Sequence, residues 1–129
     1  MSNRLEGKVA IIIGAGCVGP GWGNGRATAF RFVEEGAKVF AVDNSESALI
    51  ETIERVNTLD GTMETFIGDA TKSQSVADMI KACVNKFGRL DILVNNVGGS
   101  KKGGPVELSE EDWDSQVDYN LKSVFLSCK

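Results

Sequence analysis

Gly14-Ala15-Gly16-Cys17-Val18-Gly19-Pro20-Gly21-Trp22-Gly23-Asn24-Gly25 holds six of the chain's 15 glycines. Ahead of it, residues 8–13, KVAIII, form a short β-branched apolar run that reads as a strand buried on both faces. Behind it, residues 26–35, RATAFRFVEE, read as a helix. Ala27, Ala29, Phe30 and Val33 mark its apolar face, and Gly36 is its stop. A glycine loop set between a strand and a helix is informative in a way that a lone glycine motif is not.

Two registers fit the loop. Gly14, Gly16 and Gly19 spell G-x-G-x-x-G, whereas Gly19, Gly23 and Gly25 spell G-x-x-x-G-x-G. The first would start the helix near Gly16 and carry it through Gly19, Pro20, Gly21 and Gly23. Each interior glycine costs about 1 kcal/mol and an interior proline about 3 kcal/mol, so that helix does not form. The second starts the helix at Gly25 or Arg26, where good helix formers begin, and leaves Gly14 to turn the chain off the strand. Backbone amides of Gly23, Asn24, Gly25 and Arg26, with the helix dipole behind them, then face a pyrophosphate.

The alternation continues along the chain. Residues 38–42, KVFAV, read as a second buried strand ending at Asp43, and residues 45–59 as a helix with Ala48, Leu49, Ile53 and Val56 at helical spacing. A third strand covers 64–67. A third helix covers 73–87, with Val76, Ala77, Ile80, Val84 and Phe87 on one side and Gly88 at its end. Residues 91–94, DILV, form a fourth strand running into Asn95-Asn96-Val97-Gly98-Gly99. Strands separated by single amphipathic helices cannot pair as hairpins. They take right-handed parallel crossovers, which predicts an α/β fold: a doubly wound parallel sheet of Rossmann type with helices on both faces.

A last helix starts near Ser109, with Glu110, Glu111 and Asp112 at the positive end of its dipole. Its apolar stripe, Trp113, Val117, Leu121, Val124, Phe125 and Cys128, is still running at Lys129. Residues 1–129 are therefore expected to be part of a larger domain, cut after the fourth strand and its following helix.

The balance of 14 Lys and Arg against 18 Asp and Glu, net −4, gives no basic face for nucleic acid. No apolar run approaches the roughly 18–20 residues of a membrane span. The chain has no histidine, which removes Ser-His and Cys-His catalysis and any plausible zinc ligand set. Cys17, Cys83 and Cys128 are scattered, as suits free thiols in a reducing cytoplasm, and residues 1–7 lack a signal-peptide pattern. Asp43 ends the second strand 18 residues after Gly25, where a ribose-binding carboxylate belongs. It would accept hydrogen bonds from the adenosine 2′- and 3′-hydroxyls and repel a 2′-phosphate. No Lys or Arg stands between Gly14 and Gly25 to welcome that phosphate. NAD is expected over NADP.

These residues resemble the short-chain dehydrogenase/reductase family, in five places along the chain. Gly23-Asn24-Gly25-Arg26-Ala27 resembles the end of its T-G-x-x-x-G-x-G-x-A motif, and Ala41-Val42-Asp43 its second-strand end. Gly68-Asp69-Ala70-Thr71 is similar to the stretch whose Asp binds adenine. Leu93-Val94-Asn95-Asn96-Val97-Gly98 is similar to its N-N-A-G motif. Tyr119-Asn120-Leu121-Lys122-Ser123-Val124-Phe125 resembles the stretch holding its active-site asparagine. There are departures. The glycine loop is about five residues longer than the family's usual loop, Ile13 stands for threonine, Asn24 for isoleucine and Val97 for alanine.

The resemblance implies an NAD-dependent oxidoreductase interconverting an alcohol and a carbonyl, with the complete protein a homodimer or homotetramer. It implies cofactor contacts from Gly14, Gly19, Gly23, Asn24, Gly25, Asp43, Asp69, Ala70, Asn96, Val97 and Gly98. The family's polarising serine and its Tyr-x-x-x-Lys lie on a fifth strand and the next helix. Here the only tyrosine is Tyr119, Lys122 follows it by three, and helix packing is its expected role. Asn120, which in the family supports a proton relay through water, is the one catalytic-set member present. It is expected to be exposed or capping here, and the chain inactive alone. A non-catalytic dinucleotide-binding module or decayed remnant is the alternative. A weaker third is an interaction protein using the last helix, since residues 107–118 hold six acids and no base.

Overall fold

The structure, a computed structural model, describes residues 3–129. The elements are β1 (Val9–Ile13), α1 (Asn24–Glu34), β2 (Lys38–Asp43), α2 (Glu46–Val56), β3 (Thr62–Ile67), α3 (Ser73–Phe87), β4 (Ile92–Asn95), α4 (Glu110–Val117) and α5 (Ser123–Cys128). All strand pairs are parallel, in the order β3-β2-β1-β4. Chain order runs outward from β1 to β3, then crosses back to place β4 on the other side of β1. The sheet thus has a switch point between β1 and β4, where the crevice of an open α/β sheet forms.

Every residue of β1 is buried, because each face carries helices. Val9, Ile11 and Ile13 pack with Phe40 and Val42 against Val76, Met79 and Cys83 of α3, and Leu126 of α5 joins them. On the other face Ile12, Val39 and Ala41 meet Ala29 and Val33 of α1 and Leu49 and Val56 of α2. Ile11 and Ile12 expose no surface; each such side chain contributes about 2 kcal/mol. The strand period of two and the helix on either side thus account for the continuous apolar run.

Two helix faces differ from the expected ones. On α3 the buried residues are Val76, Met79 and Cys83, whereas Ala77 and Val84 point outward. Two overlapping apolar stripes run along this helix, and the sheet takes the one that includes Met79 and Cys83. On α1 the buried set is Gly25, Arg26, Ala29 and Val33, so the inner face begins with a cation.

The last helix is not continuous. A π-helical turn over Asp118–Lys122 separates α4 from α5. An inserted residue rotates the downstream turns by about 100° relative to the upstream ones, so no single stripe survives. Ser123 becomes the buried residue, at 2% exposure, while Trp113, Leu121 and Phe125 are more than half exposed. Ser127 Oγ donates to Asn95 Oδ1 at 2.5 Å and ties α5 to the end of β4.

Candidate functional site

A cleft of about 740 Å³ opens at the C-terminal ends of the strands, over the switch point. Gly14 builds its floor. At φ +93° it turns the chain off β1, and its carbonyl accepts from Asn96 Nδ2 at 3.0 Å. A Cβ there would lie 3.0 Å from the Asn96 carbonyl carbon. Gly25 lets α1 approach more closely still, since its Cβ would fall 1.7 Å from the Gly14 oxygen. The end of β1, the start of α1 and the end of β4 therefore meet in one place because two positions lack side chains.

α1 is capped by Gly23, in extended conformation, with no side-chain acceptor and no acid in its first turn. The first helical bond runs from Ala27 N–H to the Gly23 carbonyl at 2.9 Å. The N–H groups of Asn24, Gly25 and Arg26 precede it and have no carbonyl a turn earlier to bond. They form the positive end of the cleft. The helix starts at Asn24, one or two residues before the expected Gly25 or Arg26, in the register set by Gly23 and Gly25.

Asp43 forms the opposite end. Its Oδ2 accepts from Gly16 N–H at 2.9 Å and its Oδ1 from Ser45 N–H at 3.1 Å. Ser45 in turn caps α2, its hydroxyl accepting from Ala48 N–H at 3.3 Å. Asp69 and Ala70 line the adjoining wall. Asp69 Oδ1 accepts from both the Thr71 hydroxyl at 2.7 Å and the Thr71 N–H at 2.9 Å, and these bonds hold its carboxyl below the usual range. Gly19, Asn96, Val97 and Gly98 complete the lining, with Tyr119, which is a wall of the cleft rather than helix packing.

Asn120 is not among the lining residues. Its Oδ1 accepts from Gly99 N–H at 3.0 Å, while its Nδ2 donates to the Gly99 carbonyl at 2.9 Å and the Gln116 carbonyl at 2.9 Å. It clamps the loop after β4 to the π-helical turn. The residue is exposed, as expected, with its carboxamide committed to backbone.

The long glycine loop is held by residues that no motif singled out. The Arg26 side chain is 2% exposed beneath the loop. It donates to the carbonyls of Gly21 at 2.6 Å, Gly19 at 3.3 Å and Ala48 at 2.9 Å, to the Thr52 hydroxyl at 2.9 Å and to Glu51 at 2.8 Å. Thr52 passes the network on to the Ala15 carbonyl at 3.0 Å. Glu51 also receives Arg55 and Gly21 N–H, and these bonds, Arg55's first, hold its carboxyl below the usual range. Arg55 lies over the Trp22 ring, 4.2 Å from its centroid, and Trp22 meets Phe30 edge-on at 5.2 Å. The only local signal for this network is the Glu51–Arg55 spacing of four.

Among the described residues no group of three or more His, Cys, Asp or Glu could hold a metal, and no helix is long and apolar enough to cross a membrane.

Residues 8–129 match the family model for short chain dehydrogenases. The chain is 38% identical over 122 residues to a 3-oxoacyl-[acyl-carrier-protein] reductase of Thermotoga maritima, covering 95% of this chain and 48% of that one. A Burkholderia xenovorans structure placed among the short-chain dehydrogenases/reductases superposes with a TM-score of 0.94 at 50% identity, over 97% of this chain and 50% of that one. A short chain dehydrogenase structure from Mycobacterium smegmatis gives 0.87 at 36%, over 97% and 50%. The chain spans about half the length of these relatives. With a parallel sheet, a switch-point cleft and a family model matched over nearly its whole length, the chain belongs to the short-chain dehydrogenases.

Proposed function

We propose that these residues are the NAD-binding half of an oxidoreductase that interconverts a small alcohol and a carbonyl compound. The observation that carries the reading is the cleft with α1's first N–H groups at one end and the Asp43 carboxylate at the other. A dinucleotide suits that donor set: a pyrophosphate at the N–H groups and a vicinal diol at the carboxylate. The glycines at 14, 16 and 25 leave room where a Cβ would collide with backbone or with Asp43 itself.

In this reading Gly23, Asn24 and Gly25 hold the pyrophosphate, with Gly14 and Gly19 shaping the loop. Asp43 accepts the ribose 2′- and 3′-hydroxyls and repels a 2′-phosphate. Arg26, the cation nearest the loop, is turned inward and offers that phosphate no contact. Asp69 and Ala70 flank the adenine, and Asn96, Val97 and Gly98 form the floor beyond it. Asn120 supports the site by fixing the loop that carries Gly99. NAD, when bound, supplies the nicotinamide carbon that exchanges hydride with the substrate. Residues 1–129 include no Tyr-x-x-x-Lys, so the chain by itself binds the cofactor and turns over nothing. The complete protein is then a cytoplasmic homodimer or homotetramer.

Calorimetric titration with NAD, paired with absorbance assays for NADH on a panel of alcohols, tests both halves. Binding without turnover is expected. No binding overturns the cofactor site, and NADH formation overturns the assignment of the chemistry to residues outside this chain.

A further inference from the structure

Glu51 lies outside every motif that points to the cleft, yet its carboxylate is fully engaged there. Oε2 accepts from Arg26 Nη1 at 2.8 Å, Oε1 accepts from Arg55 Nη2 at 2.6 Å and Nε at 2.9 Å, and Gly21 N–H reaches both oxygens. Two guanidiniums thus meet on Glu51: Arg26, which with Glu51 and Asp43 lines the cleft, and Arg55, which lies behind it over Trp22. The connection is short. Arg26 Nη2 donates to the Ala48 carbonyl at 2.9 Å. That carbonyl and Asp43 Oδ2 each lie 2.8 Å from the point a Cβ on Gly16 would occupy.

The charges around this corner are Asp43 and Glu51 against Arg26 and Arg55. With Glu51 in place they cancel. Without it the corner carries a net positive charge, and a positive corner beside a ribose attracts a 2′-phosphate. We propose that Glu51 is a second determinant of ribose selectivity, balancing Arg26 and Arg55 together with Asp43 so that the adenosine end of the cleft presents no net positive charge to a 2′-phosphate. The inference rests on the NAD reading above and adds to it a residue that acts without touching the nucleotide. Arg26 is buried and bonded throughout, and Arg55, one third exposed, is held on Glu51 and over Trp22, so both charges act through their field.

NAD and NADP differ only by the 2′-phosphate, so the ratio of their dissociation constants isolates the effect. Each is titrated calorimetrically into the full chain, into Glu51→Gln and into Arg55→Gln. Glutamine keeps an acceptor for Gly21 N–H. The wild-type chain prefers NAD, and Glu51→Gln narrows that preference about tenfold, the scale of one uncancelled charge within roughly 10 Å at a protein surface. Arg55→Gln widens it. Equal weakening of both nucleotides by Glu51→Gln overturns the proposal, because Glu51 then only holds the loop. Should Glu51→Gln fail to fold, Arg55→Gln decides: a preference that stays constant or narrows overturns it. A wild-type chain that takes neither nucleotide, or prefers NADP, overturns the NAD reading itself, and this is seen before any substitution is made.

Discussion

Asn120 holds Gly99 by both of its backbone groups, accepting from the N–H at 3.0 Å and donating to the carbonyl at 2.9 Å. The pairing joins the loop after β4 to the one π-helical turn among the described residues, 21 positions along the chain. A Cβ on Gly98 would lie 2.7 Å from Asn120 Oδ1, so the loop sits as close to the carboxamide as backbone allows. Asn120→Asp keeps one acceptor, loses both donated bonds and sets a carboxylate against two carbonyls. We expect a loss of about 1–2 kcal/mol, read as a lower midpoint in urea denaturation, with Asn120→Ala close behind. An unchanged midpoint for both variants would show that the clamp carries no stability.

Arg26 is the polar centre beneath the glycine loop. Replacing it with methionine keeps an unbranched apolar stem, removes the guanidinium and leaves the carbonyls of Gly19, Gly21 and Ala48 without their donor. Breaking such a buried set by removing one partner costs about 3 kcal/mol. Arg26→Met is therefore expected to unfold at markedly lower urea, and to lose NAD affinity along with it. Arg26→Lys restores the charge but not the fork of donors, and is expected to recover only part of the stability. Full recovery by lysine would mean that charge alone holds the loop.

Asp43 bonds to two backbone N–H groups already, and its remaining acceptor capacity faces the cleft. Asp43→Ala is expected to weaken NAD by about tenfold, the loss of hydrogen bonds to a charged acceptor. NADP, whose 2′-phosphate the carboxylate repels, is expected to lose less or to gain. Equal losses for the two nucleotides in parallel calorimetric titrations would sink the ribose assignment.

The parts of this fold that were legible in sequence are those decided locally. The α3 boundaries follow from periodicity and from Gly88, which takes the left-handed C-cap at φ +80°. The β1-loop-α1 register follows from what glycine and proline do to a helix. The hidden parts depend on tertiary contact. Met79 and Cys83 rather than Ala77 and Val84 face the sheet because the sheet selects between two stripes of similar apolarity. The π-helical turn at Asp118–Lys122 is sustained by Asn120 on Gly99 and Ser127 on Asn95, contacts 21 and 32 residues apart that no window reveals. Arg26 looks like any exposed helix-start cation until α2 is folded above it.

The three thiols sit in three environments. Cys83 is buried and its thiol is pushed up to about 11 by desolvation. Cys17 is half-buried in the glycine loop, and Cys128 is exposed. Because the thiolate is the reactive form, a disulfide reagent at neutral pH is expected to label Cys128 first and Cys17 next. Cys83 should react only at the rate of unfolding. Mass spectrometry of timed aliquots reads the order directly. Early labelling of Cys83 would mean that α3 opens independently of the sheet.

Asp91 ties the start of β4 to β1. Its carboxylate accepts from Val9 N–H at 2.8 Å and from Arg89 Nη2 and Nε, at 2.6 Å and 2.8 Å. These bonds, Arg89's first, hold its carboxyl below the usual range, as others do for Asp69 and Glu51. A carboxyl depressed in the folded state binds its proton more readily when unfolded. Its contribution is therefore complete above the ordinary carboxylate range and is lost as pH falls through that range toward the folded value. Thermal melts should show a plateau near neutrality and a decline on the acid side. Asp91→Asn removes one of the groups responsible while keeping an acceptor for Val9 N–H. It should lower the plateau and make the acid decline shallower, because the variant has less stability left to lose. An acid limb identical to that of the wild type would assign the decline to Asp69, Glu51 and the remaining carboxylates instead.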